Sequence, residues 1–349
     1  MVEQENKTQP ENNHKGPVLW GWHTYLSIAI TMAILVWLVT MLDLKEIWRE
    51  IKGADKTLLL LGALAHYCTY PVRGLRWRRC LIHLPVRGST WRFGLLVFFY
   101  NFVDNVVPAK LGDVYGAHLA RINFGIRRSA AMGSIVFVRM VDGWLVLLLA
   151  SLSSWLLFSA KLLPSVLWSL IGGGVIAVSI TAIMLLVLLL KRSLPDWLPD
   201  RIKQMIQAFH TGMWPRTKEI IPIAVLTILI WVLETLWIYL LVLAFGFKLS
   251  LLQAVFLTMI PLLASAFPLT PSGAGVVELT MFGCLRVLGM SSPIAVSVTV
   301  VNRFADYWLH IGLGLLIWAV RHVIGLRTWR EVPLEDVASP DGSPETAMS

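Results

Sequence analysis

Two heptapeptides carry ionisable residues inside otherwise apolar stretches: Arg139-Met-Val-Asp142-Gly-Trp144-Leu145 and Arg303-Phe-Ala-Asp306-Tyr-Trp308-Leu309. In each, Arg and Asp are three positions apart, so on a helix they share a face and can neutralise one another. An unpaired arginine at the centre of a bilayer costs at least about 2.5 to 3.5 kcal/mol. Each is therefore expected to face the protein interior, use its own Asp as partner, and either hold an anionic ligand or tie helices together. Two breaks add further candidates. The first contains Asn105, Pro108, Lys110, Gly112 and Asp113; the second contains Pro268, Pro271, Ser272, Gly273, Gly275 and Glu278. Small residues ahead of a helix leave backbone N–H groups open to a phosphate, and Lys110 adds a cation. The alternative is plain turn chemistry. Asp113 and Glu278 each follow a break and either exchange protons with a passing substrate or, the favoured reading, stabilise the start of the next helix. Glu234 stands alone in an apolar run, either as a proton-coupling carboxylate or as the partner of a distant cation. The Arg73, Arg76, Arg78, Arg79 cluster reads first as a topology determinant, with specific capture of a lipid headgroup as the alternative.

The elements that position these residues must lie in a membrane. Of 349 residues, 56% are hydrophobic and 15% charged, against about 45 to 50% and about 25% in soluble domains, and the mean hydropathy is +0.69. The net charge of +9 then reflects cytoplasmic loops and anionic headgroups, with no nucleic acid as partner. Cys68, Cys80 and Cys284 have no metal-ligand spacing, and Cys80 is expected in an Arg-rich loop. No zinc-protease, phosphate-loop or nucleophile-elbow motif occurs, and His66, His118 and His310 read as isolated packing residues. No catalytic residue, metal or cofactor is expected.

The chain reads as all-α and polytopic, with eight hydrophobic segments. Residues 15–43, 57–72, 129–160, 162–190, 220–247 and 287–320 suit full crossings. Residues 91–122 and 249–288 are interrupted by polar residues, Pro and Gly, and irregular backbone at membrane depth is tolerated where protein or water covers it. If both regions re-enter as hairpins, 21 Lys and Arg lie inside and 7 outside, whereas eight crossings give 13 and 15. The positive-inside preference favours about six full transmembrane helices plus two re-entrant hairpins, with both termini cytoplasmic. Arg139 and Arg303 lie 164 residues apart, Pro108 and Pro271 lie 163 apart, and so do Gly112 and Gly275. The organisation expected is a first membrane repeat over residues 18–160 and a second over 161–327, between disordered tails at 1–17 and 328–349. Three crossings per repeat is odd, so the repeats are inverted, and such folds bind substrate near the midplane where the repeats meet.

Gly74-Leu-Arg-Trp-Arg-Arg-Cys-Leu81, Asn105-Val-Val-Pro-Ala-Lys-Leu-Gly-Asp113, Val138-Arg-Met-Val-Asp142-Gly143 and Phe267-Pro-Leu-Thr-Pro-Ser-Gly-Ala-Gly-Val-Val-Glu278 resemble the lysylphosphatidylglycerol synthase transmembrane, or flippase-like, family. The resemblance implies translocation of an anionic phospholipid or polyprenyl-phosphate-linked lipid in the bacterial inner membrane. Its alternative is a membrane-embedded enzyme, or a subunit accessory to one, in lipid or glycan modification. The aminoacyl-transferase domain of the full synthases is absent from the sequence, so lysine transfer is not expected. Ser272 replaces a usual glycine, and Lys110 an arginine. Oligomeric state is not legible. Thiol labelling tests the topology: in a cysteine-free background, Lys110→Cys and Arg128→Cys should react from the cytoplasmic side and Lys248→Cys from outside, while labelling of Lys110→Cys from outside would restore eight crossings.

Overall fold

A computed structural model describes residues 44–86, 89–107, 111–158, 164–192, 197–265, 273 and 275–326, and the described residues form helices joined by turns, with no strand among them. The crossing expected over 15–43, both tails, Lys110 and Ser272 lie outside them. The helices in order are α1 (Leu44–Gly53), α2 (Lys56–Cys80), α3 (Thr90–Val106), α4 (Gly112–Phe124), α5 (Arg128–Phe158), α6 (Pro164–Arg192), α7 (Asp200–Met213), α8 (Ile220–Ala244), α9 (Leu251–Ala264), α10 (Val276–Val287), α11 (Ser292–Arg303) and α12 (Leu309–Val320), with a π turn, Phe304–Trp308, joining the last two. By length and composition, Arg128–Phe158, Val166–Leu189 and Thr217–Ala244 can cross a membrane. Helix α6 leaves Leu167, Trp168, Ile171, Val175, Val178 and Ile183 exposed, an apolar strip too continuous for a water-facing surface.

Helices α2 and α8 are each 25 residues long, which is about 37 Å at 1.5 Å per residue. They pack antiparallel along their whole length. The amide of Asp55 before α2 donates to the carbonyl of Ala244 at the end of α8, Arg73 reaches Glu234 mid-helix, and Arg79 reaches Glu219 just before α8 begins. The starts of α2 and α8, of α4 and α10, and of α5 and α11 are each 164 residues apart, the spacing already evident between the two Arg-x-x-Asp sequences. The sequence period is thus matched by a recurring order of helices whose first members run in opposite directions.

The interrupted regions form helical hairpins. Helix α3 descends to Val106 and α4 returns from Gly112; the Phe93 and Phe124 rings stack with centroids 4.0 Å apart at the open end, and the Gly112 amide donates to Asp104 Oδ1 at 2.7 Å near the tip. Helices α9 and α10 make the second hairpin, with Gly273 against Ser265 at the tip.

The structure corrects three expectations. The segment expected to end at Val72 continues as α2 to Cys80, so the Arg cluster is helical and Cys80 is fully buried at its end rather than in a loop. Carboxylates from other helices allow this, because they replace the water that Arg73 and Arg76 would otherwise need. Helices α1 and α7 lie outside the eight hydrophobic segments expected from sequence. In α7 the pattern Ile202, Met205, Ile206, Phe209, Met213 is amphipathic, a signal overlooked because charged residues alternate with it. Finally, the last crossing is broken by the π turn, whereas its counterpart α5 is continuous.

The two buried clusters, one around Phe93 and Leu96 and the other around Phe256 and Ile260, depend on close helix approach. A Cβ on Gly74 would overlap the backbone of Gly94 in α3. Gly74→Ala should therefore lower thermal stability in detergent by an overpacking cost of about 1 to 3 kcal/mol, while Gly53→Ala, which meets open space, should leave the midpoint unchanged.

Candidate functional site

A cavity of about 640 Å³ lies between α2, α3, α5, α6, α8, α9 and the chain around the π turn. Its lining includes ionisable residues, Arg73, Asp104, Asp113, Arg139, Asp142, Glu234, Arg303 and Asp306, and apolar residues, among them Ile176, Ala177 and Ile180 of α6 and Leu257, Leu262 and Leu263 of α9. Both the size and the mixture suit a ligand that is polar at one end and apolar at the other.

The ionisable lining is built from pairs that join different helices. Arg139 of α5 donates from Nη2 to Asp113 Oδ1 at 2.7 Å and from Nε to Asp113 Oδ2 at 3.1 Å, with Asp104 Oδ2 at 3.6 Å. Arg303 of α11 approaches Glu278 Oε1 with Nε at 2.7 Å and lies over the Tyr307 ring, 4.5 Å from its centroid. Asp113 and Glu278 each stand in the first turn of a hairpin's returning helix. The two pairs are therefore equivalents: an arginine of each repeat's last helix meets an acid at the start of its returning half-helix.

This overturns the expected pairing within each Arg-x-x-Asp sequence. Asp142 is held instead by Arg76 of α2, with Nη1 at 2.6 Å from Oδ1 and Nη2 at 2.8 Å from Oδ2, and Trp231 Nε1 donates to Oδ1 at 3.3 Å. A cross-helix fork of two parallel hydrogen bonds is stronger and better directed than an i, i+3 contact along one helix, where the long Arg side chain must fold back. Asp306 meets His66 of α2, whose Nε2 is 3.6 Å from Oδ1. Glu234 takes the partner-bearing reading: Arg73 Nη2 is 2.8 Å from Oε1 and His66 Nδ1 is 2.9 Å from Oε2.

The second break is also corrected in part. Gly273 and Gly275 both have positive φ, 66° and 88°, as a glycine turn requires. The Gly275 amide is not open, however, because it donates to Glu278 Oε2 at 2.6 Å. Gly112's amide is likewise taken by Asp104. Glu278 thus serves as cap of α10 and as ion-pair partner of Arg303 at once. Capping of α4 falls to Asp104 rather than Asp113.

Of the residues proposed from sequence, Asp113, Arg139, Asp142, Glu234, Gly273, Arg303 and Asp306 line the cavity, and Glu278 is one contact behind it. Sequence reasoning missed His66, Tyr70 and Arg73. They recur at i, i+4 and i+7, a polar stripe on one face of α2, and that spacing was the available signal. His310, read as a packing residue, is one: its Nε2 donates to the Phe98 carbonyl at 3.2 Å, so Nδ1 accepts from the Tyr70 hydroxyl at 2.9 Å.

Residues 25–314 match the family model described as the lysylphosphatidylglycerol synthase TM region. A UPF0104 membrane protein of Methanocaldococcus jannaschii is 27% identical over 220 residues, covering 63% of this chain and 94% of that protein. A UPF0104 membrane protein of Methanothermobacter thermautotrophicus is 24% identical over 319 residues, covering 83% and 90%. A shorter likeness, 24% over 115 residues, reaches the glycosyltransferase AglD of Haloferax volcanii and covers 33% of this chain and 18% of that protein. The ion-pair assignment has a direct check in double-mutant cycles on thermal unfolding. Arg76 with Asp142 should show strong coupling, single removals costing about 3 to 5 kcal/mol; Arg139 with Asp113, more open to solvent, should couple less strongly, and Arg139 with Asp142 more weakly still.

Proposed function

The chain belongs to the lysylphosphatidylglycerol synthase transmembrane family, a family of multi-pass membrane proteins, and from that premise we infer that it moves an anionic lipid between leaflets. The observation that carries this reading is a cavity lined by both ionisable and apolar residues. A phosphate-bearing headgroup meets the ionisable residues while its chain lies against the apolar residues of α6 and α9. Arg139 and Arg303 are the headgroup contacts. An arriving phosphate replaces Asp113 on Arg139 and Glu278 on Arg303, exchanging one charge-assisted pair for another. Because those acids begin the returning half-helices, loading the arginines releases the hairpins from α5 and α11. The two hairpins belong to inverted repeats in this account, so the releases open opposite sides of the membrane. The N-terminus and C-terminus are cytoplasmic, and the plasma membrane is the site of action.

A second reading is favoured by the likeness to a protein named as a glycosyltransferase: the chain supports a lipid- or glycan-modifying enzyme without moving lipid itself. Reconstitution separates the two. Purified protein in liposomes, assayed with a leaflet-selective readout across phospholipids and polyprenyl phosphates, should redistribute an anionic lipid; inactivity on every lipid, with altered modified-lipid pools in cells lacking the protein, would favour the accessory role. Arg139→Ala and Arg303→Ala should each reduce translocation by at least about tenfold, the loss of about 1.4 kcal/mol of a contact needed for transport. Arg139→Ala with Asp113→Ala should restore folding without restoring transport. Full activity of that double variant would mean the pair only holds helices together.

A further inference from the structure

The cavity wall holds more negative than positive groups. Arg73, Arg139 and Arg303 face Asp104, Asp113, Asp142, Glu234 and Asp306. An anionic headgroup entering that surround needs positive charge to accompany it, and the arrangement about His66 supplies a place for it. His66 is 3% exposed. Its Nδ1 is 2.9 Å from Glu234 Oε2, and its Nε2 has no hydrogen-bond partner among the described residues while facing Asp306 Oδ1 across 3.6 Å. That gap is too long for a hydrogen bond and short enough to close by a small movement. Asp306 is 45% exposed by side chain and sits in the π turn that interrupts α11 and α12, an irregularity that recurs at functional sites and re-aims the side chains it contains. The corresponding helix α5 has no such turn.

We propose that Asp306 and His66 form a proton-carrying pair that loads one proton with each anionic headgroup, so that transport is coupled to a proton gradient. The step is a proton transfer without redox change. A hydronium ion in the cavity gives its proton to the Asp306 carboxylate, forming O–H and releasing water; the O–H bond then breaks as Nε2–H forms on His66, giving an imidazolium between two carboxylates. The proton returns to water by the reverse path when the cavity opens to the other side. Other charged or titratable groups about His66 are Glu234 of α8, Arg73, Tyr70 and Tyr67 of α2 itself, and His310 of α12, which reaches it through Tyr70. With Arg73 neutralising Glu234, the added proton neutralises Asp306, and the cluster changes from net negative to neutral.

The coupling claim rests on the lipid-translocation reading, and two measurements keep their failures apart. In the first, full-length protein with ¹⁵N-labelled histidine in nanodiscs is titrated by NMR, His66 being identified by the signal lost in His66→Gln. The pH at which His66 converts should be displaced by about one unit or more in Asp306→Asn; an unchanged titration would overturn the proton pair whether or not any lipid moves. In the second, proteoliposomes are given a pH gradient and anionic-lipid movement is followed. Wild type should speed up by at least about tenfold in the favourable direction, and His66→Gln and Asp306→Asn should lose that response. A wild-type rate indifferent to the gradient would overturn the coupling even if His66 titrates as expected. Absence of lipid movement in any condition, alongside a normal His66 displacement, would leave the proton pair standing and overturn the translocation reading and the coupling that rests on it.

Discussion

A buried guanidinium has to be met by a carboxylate, and that constraint arranges the middle of this protein. Three arginines line the cavity and a fourth, Arg76, bonds a residue that does, and each is joined to an acid on another element: Arg73 to Glu234, Arg76 to Asp142, Arg139 to Asp113 and Arg303 to Glu278. Removing one partner would leave the other charge stranded in apolar surroundings, so each pair fixes the relative position of two helices. The pairs differ in access. Arg76 is 3% exposed by side chain and bonded on both terminal nitrogens, Arg303 is 12% and Arg73 20% exposed, and Arg139 is the most open at 38%. In the proposed function Arg76, which does not line the cavity, holds the scaffold together, while Arg139 and Arg303, which line it and meet the hairpin acids, give up their partners to a ligand.

The division follows the repeat. The two exchangeable arginines occupy equivalent places on α5 and α11, and their acids begin the equivalent half-helices α4 and α10. The fixed pairs break the equivalence: Arg73, Arg76 and His66 all come from α2, and α8 returns Glu234 without a comparable set of cations. The antiparallel α2 and α8 thus share the Arg73 pair and α2 holds α5 through Arg76, while the Arg139 and Arg303 pairs lie on the hairpins and the helices that follow them. The π turn adds a second asymmetry, since it brings Asp306 to His66 while Asp142, its counterpart in sequence, is locked by Arg76.

Much of this was legible in the sequence because it depends on patterns along one chain. Uncharged runs gave α5, α6 and α8 nearly to their ends, and Pro108, Gly112, Pro271 and Gly275 marked both hairpin breaks. The doubled Arg-x-x-Asp sequences exposed the repeat and named most of the ionisable lining. The partners were not legible, because an arginine on a helix has several acids within reach of its side chain and sequence spacing singles out only the local one. The end of α2 was misplaced for the same reason: Arg73 and Arg76 look like water-facing residues until Glu234 and Asp142 arrive from other helices. His66 looked isolated because Glu234 and Asp306 lie 168 and 240 residues away.

The account turns on phosphate replacing carboxylate at the two exchangeable arginines, and a phosphorus-to-nitrogen distance reports it directly. Solid-state NMR dephasing between the ³¹P of an anionic lipid and ¹⁵N-labelled arginine side chains, in full-length protein in lipid bilayers, should detect a guanidinium within about 4 Å of phosphorus, with the signal reduced in Arg139→Lys and again in Arg303→Lys. A close contact that persists unchanged in both variants, or none in the wild type at saturating lipid, would contradict it.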